Sequence, residues 1–67
     1  MRKDIYIVSV THRLTNDTRI SEEGYDTIEE AIYFIEHRSD EPRKEPYVLT
    51  WLSPDYIYEI HLIKVGD

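Results

Sequence analysis

Hydrophobic positions along the chain change period twice, and those changes divide it into elements. Residues 4–13 (DIYIVSVTHR) are rich in β-branched and aromatic side chains, which predicts a strand over Asp4–Arg13. Alternation puts Tyr6, Val8, Val10 and His12 on one face and Ile5, Ile7, Ser9 and Thr11 on the other. Apolar residues on both faces at its start predict a central strand with a helix over one side. Thr15-Asn16-Asp17 is a turn signal, and Thr18–Ser21 is expected to return as a short strand. Gly24 interrupts the pattern. From Ile28 the period becomes helical: Ile28, Ala31, Ile32 and Ile35 form one apolar stripe, flanked by Tyr33 and Phe34. Thr27-x-x-Glu30 is a capping box, so the helix is predicted over Thr27–Arg38, with His37 and Arg38 in its last turn.

Ser39–Pro46 (SDEPRKEP), with two prolines and five charges, reads as an exposed loop. Tyr47–Leu52 reads as a strand, Ser53-Pro54-Asp55 as a tight turn, and Tyr56–Val65 as the longest strand. In that last strand Tyr56, Tyr58, Ile60 and Leu62 share one face. Ile57, Glu59, His61, Ile63 and Val65 share the other, which is mixed. The expected fold is α+β: a small antiparallel sheet of three to four strands with one helix on one face, in the order β-β-α-β-β, as a single domain over residues 1–67. One helix covers one face only. Ile57, Ile63 and Val65 are therefore expected to meet a second copy or a partner, and a homodimer or structural homo-oligomer is one reading of the chain.

Composition sharpens this picture. A 67-residue domain buries only about 60% of the surface of its unfolded chain, and without cysteine it has no disulfide or thiolate metal site to staple it. An unstapled small domain is expected in the cytoplasm rather than outside the cell. The short apolar run after Met1-Arg2-Lys3-Asp4 does not have the form of a signal peptide, and no apolar run reaches the roughly 18 residues of a membrane helix. Six tyrosines and one tryptophan suit a thin core or half-buried sheet faces and interfaces.

Candidate chemistry is sparse. His12, His37 and His61 fall on a strand, a helix end and another strand. Glu59 and His61 share a strand face, but a structural metal site needs about four ligands and no third is evident. Ser53 lacks the surroundings of an elbow nucleophile, and the two glycines cradle no phosphate. A sheet with one helix also leaves little expected room for a pocket. The expectation is a protein with no catalytic residues, no metal and no cofactor. Arg2, Lys3, Arg13 and Arg19 make a modest basic edge, so a nucleic-acid-binding module is the alternative, opposed by fourteen acids against eight bases.

Residues 24–31, Gly-Tyr-Asp-Thr-Ile-Glu-Glu-Ala, resemble the sheet-to-helix junction of the AP2-like, arm-type DNA-binding domains of phage integrases. That resemblance implies a hairpin followed by a helix. Acids stand where such a domain carries bases, so DNA binding does not come with it. The short, acidic, cysteine-free, tyrosine-rich chain also resembles in style the small accessory proteins of phages and prophages, some of which inhibit host enzymes.

Charge is concentrated. The net charge is −6, and residues 22–41 alone carry eight acids against Arg38. Glu29 and Glu30 complement the helix dipole, and Asp40 and Glu41 lie beside Arg43 and Lys44. Glu22, Glu23, Asp26 and Glu36 have no such local reason. The expected partner-binding residues are Glu22, Glu23, Asp26, Glu29 and Glu36 with Tyr25 and Tyr33, meeting a protein with a basic surface. An inhibitor or accessory protein acting on a nucleic-acid-handling protein is the leading expectation.

Overall fold

A computed structural model describes residues 3–21 and 24–65, with Lys3 and Val65 described as backbone only. One helix and five strands run in the order β1 (Lys3–His12), β2 (Thr18–Ile20), α1 (Ile28–Glu36), β3 (Arg43–Lys44), β4 (Thr50–Leu52) and β5 (Tyr56–Val65). The strands make one antiparallel sheet in the spatial order β2-β1-β5-β4-β3. The α+β class holds, with five strands where three to four were expected.

The spine is the pairing of the two long strands. β1 and β5 match over ten residues, from Lys3 opposite Val65 to His12 opposite Tyr56. Each is rich in β-branched and aromatic residues, and each alternates between two faces. The β1–β2 turn closes with Asn16 in the left-handed region (φ 61°), where its amide donates to the His12 carbonyl at 2.8 Å. Beyond β2 the Ser21 amide donates to the Val8 carbonyl at 2.9 Å, and Tyr25 and Tyr6 exchange amide-to-carbonyl bonds of 2.7 and 2.9 Å. Gly24 sits there because a Cβ would run into Cγ2 of Ile5.

Thr27 caps α1, its hydroxyl accepting from the Glu30 amide at 3.3 Å, which is the threonine half of the expected capping box. Nine residues are too few for a stable helix alone, so packing holds it. Ala31 and Ile35 are fully buried against Val8, Trp51, Tyr58 and Ile60, with Ile28 and Ile32 beside them. The helix therefore covers the Val8/Tyr58/Ile60 face and leaves the Ile57/Ile63 face uncovered by any described element. It also carries the chain from the β2 edge across the sheet to the opposite edge.

Three expectations need correction. The helix stops at Glu36, so His37 is its C-cap, its amide bonding the Tyr33 carbonyl at 3.1 Å, and Arg38 lies past the last turn. The expected loop Ser39–Pro46 contains β3, where Arg43 and Lys44 pair with Leu52 and Trp51. The expected strand Tyr47–Leu52 begins only at Thr50. Tyr47 stands fully exposed in the left-handed region (φ 66°) at the tip of the β3–β4 connection, closed by Glu45 N–H to Thr50 carbonyl at 2.8 Å.

Candidate functional site

A helix with one buried stripe exposes the next. In α1 the buried stripe is Ala31 and Ile35; a third of a turn away lie Glu30, Tyr33, Phe34 and His37, spaced i, i+3, i+4, i+7. Tyr25, pinned by its bridge to β1, stands beside them with its ring 6.0 Å from that of Phe34. Together these residues make an open groove of about 860 Å³ along the helix. That is within the usual range of ligand pockets, about 300–1,000 Å³, so the expectation of little room is corrected. The pocket lies outside the fold, between a helix flank and a strand-edge segment, and needs no thick core.

The groove is polarised. Its walls are the rings of Tyr25, Tyr33 and Phe34, with Tyr33 64% exposed. Glu29 and Glu30 lie toward the N-terminal end of the helix; His37 and Arg38 close the other end. The His37 ring stacks on Tyr33 at 3.7 Å between centroids. Its Nδ1 is 3.0 Å from the Tyr33 carbonyl, which only accepts, so Nδ1 carries the proton. The Arg38 guanidinium lies 5.5 Å from the Phe34 ring centre and 5.3 Å from that of Tyr58, on the π faces that attract cations.

Arg38 is fixed from beneath. Its Nε donates to the Tyr58 hydroxyl at 2.8 Å, and that hydroxyl donates to Oδ2 of Asp40 at 2.7 Å. Burial pushes the Asp40 carboxyl up, but bonds from Ser53, Tyr58 and its own backbone, with the Arg38 charge, outweigh burial and hold it below the usual carboxylate range. Burial and the bond to Asp40 raise the Tyr58 phenol above its ordinary value, against the opposing pull of Arg38. Asp40 is thus paired with Arg38 and Tyr58 rather than with Arg43 and Lys44, as its position in sequence suggested.

The expected partner-binding residues separate. Tyr25, Glu29 and Tyr33 come together in the groove. Asp26 is exposed in the bend before the helix. Glu36 points to the sheet side, where its Oε2 accepts from the Trp51 indole at 3.3 Å, so it has a structural task. Glu22 and Glu23 lie outside the described residues. Glu30, Phe34, His37 and Arg38 complete the groove, and the signal for them was the second helical stripe in the sequence.

Of the expected oligomer-interface residues, Ile57 is half-buried and Ile63 is 45% exposed on the uncovered face; Val65 pairs through its backbone with Lys3. Of the basic edge, Arg13 is tied down, its guanidinium donating to the Ser53 carbonyl at 2.8 Å, while Arg19 is exposed and Arg2 lies outside the described residues. His61 Nε2 is 2.9 Å from the Ser9 hydroxyl rather than turned to a shared ion with Glu59. Among the described residues no three His, Asp or Glu side chains converge as metal ligands, and no helix is long and apolar enough to cross a membrane. Comparison with protein-family models, with curated proteins and with solved structures gives no match.

Proposed function

We propose that this is a small, non-catalytic, acidic protein-interaction module whose groove along α1 takes a basic segment of a protein partner. The observation that carries the reading is the aromatic wall of Tyr25, Tyr33 and Phe34 with Glu29 and Glu30 at its end. An arginine or lysine side chain gains there from both the π faces and the carboxylates. Within the protein, Arg38 at the other end of the groove already makes such a contact with the Phe34 ring. Basic surfaces of this kind belong to proteins that handle nucleic acid, which makes such a protein the leading partner class.

Magnitudes set the expected affinity. An exposed cation–π contact contributes about 0.5–1 kcal/mol and a surface ion pair about 0.2–1 kcal/mol. One arginine therefore binds only weakly, and several contacts are needed to pass the roughly 4 kcal/mol of a millimolar complex. Nuclear magnetic resonance suits this range. Blocked tetra-arginine titrated at low salt is expected to shift Tyr25, Glu29, Glu30, Tyr33 and Phe34, with Kd near millimolar, weakening as salt rises. Absence of any shift at low salt refutes the reading.

A further inference from the structure

We infer that Arg38 is a receptor for an anion: the segment that enters the groove carries, two residues from its basic side chain, an acidic side chain that pairs with the Arg38 guanidinium. This rests on the groove reading and narrows its occupant from any basic segment to a bipolar one.

The guanidinium is held, uncommitted and reachable. Nε donates to the Tyr58 hydroxyl at 2.8 Å, and Cζ lies 5.5 and 5.3 Å from the Phe34 and Tyr58 ring centres. Among the described residues Nη1 and Nη2 have no partner, and the ion pair to Asp40 is a long one through Nε, 3.9 Å. The side chain is 39% exposed and lines the groove. Because a guanidinium is planar, fixing Nε fixes the direction of the other N–H groups, the fork that matches the two oxygens of a carboxylate. His37 beside it does not take that role: with the proton on Nδ1, a neutral imidazole offers only an acceptor at Nε2.

Spacing and charge select the occupant. Glu30 and Phe34 are four residues apart, about 6 Å along the helix axis, and the guanidinium lies beside the Phe34 ring. In an extended segment alternate side chains share a face and stand about 6.6 Å apart. A cation held by Glu29 and Glu30 therefore brings the side chain two residues along to Arg38. The net charge of −6 opposes a dianionic phosphate there more than a single carboxylate on a segment that is still positive overall.

Paired peptides test this by resonance shifts at low salt. Each carries three arginines, an alanine and then glutamate or glutamine, with both ends blocked, and each is made in forward and reversed order. The field of an acidic chain favours the more positive glutamine peptides, so only a local cation can reverse that preference. The glutamate peptide is expected to bind about fivefold tighter in at least one order, the upper range of an exposed ion pair. Arg38→Gln, with circular dichroism reporting its fold, should abolish the preference. Arg19→Gln removes the same charge from exposed β2 and should keep it. Glutamine peptides that bind as tightly in both orders overturn the inference. So does a preference that survives Arg38→Gln or disappears in Arg19→Gln. If the glutamine peptides still shift Tyr25, Glu29 and Tyr33, the groove reading stands without it; if no peptide and no tetra-arginine shifts them, both fall.

Discussion

Removing one oxygen from the middle of the protein probes what holds the groove in place. Tyr58 is fully buried, and its hydroxyl joins Arg38 on one side to Asp40 on the other, at 2.8 and 2.7 Å. Tyr58→Phe keeps the ring and its packing and deletes both bonds. A hydrogen bond to a charged group contributes about 1.5–3 kcal/mol. Two are lost, but the Arg38 and Asp40 side chains are 39% and 23% exposed, so water replaces part of each. The net loss is expected to be about 2 kcal/mol, a large share of the roughly 3–10 kcal/mol that a chain of this length commands. Urea unfolding followed by the fluorescence of Trp51, the single and fully buried tryptophan, reads the change directly. With a slope near 1 kcal/mol/M, the midpoint should fall by about 2 M with the slope unchanged. A fall below about 0.5 M would show that water serves Arg38 and Asp40 as well as the phenol does, and the idea of a locked Arg38 would fail.

Three more tests follow from the same contacts. The Asp40 carboxyl is held low in the folded state, so its contribution is present above the unfolded value near 4 and lost as pH falls through the folded one; Tyr58 is held high, so its contribution is lost as pH rises above about 10. Asp40→Asn should abolish the acid-side slope and Tyr58→Phe the alkaline one, as read by unfolding across pH. Gly24→Ala drives a Cβ into Ile5 and should cost about 1–3 kcal/mol in urea unfolding, with most of the added penalty absent when Ile5 is already alanine. Tyr47→Gly releases a fully exposed residue from the left-handed region and should raise stability by about 0.5–1 kcal/mol; a lower melting temperature would mean that the tyrosine makes up for its backbone strain.

The parts of this fold that the sequence made legible are those with a long period. The ten-residue strands and the capped apolar stripe need only alternation or helical spacing to be seen, and β5 matches its expected bounds. β3 is different. Arg43 and Lys44 have neither strand-forming chemistry nor an apolar face, and prolines stand at 42 and 46; they are a strand because Leu52 and Trp51 give them a partner. Tyr47–Leu49 have strand chemistry but form the turn that lets β4 reach back to β3. Long-range partners also explain the acids. Glu36 looked unexplained locally because its reason, the Trp51 indole, is fifteen residues away. Tyr25, Glu29 and Tyr33 were recognisable as exposed aromatics and acids, but the groove they share depends on where the bridge to Tyr6 holds Tyr25.

The claim that the groove, rather than the general acidity of the chain, recognises a basic segment is tested most directly by two reversals of equal charge. Glu29→Lys with Glu30→Lys alters the groove; Asp17→Lys with Asp55→Lys alters two exposed turns elsewhere by the same total charge. Binding of blocked tetra-arginine, followed by resonance shifts at fixed low salt, should be lost in the first protein and weakened only about twofold in the second. Equal loss in both would contradict the account, because it would make the net field of the chain, and no particular surface, the source of binding.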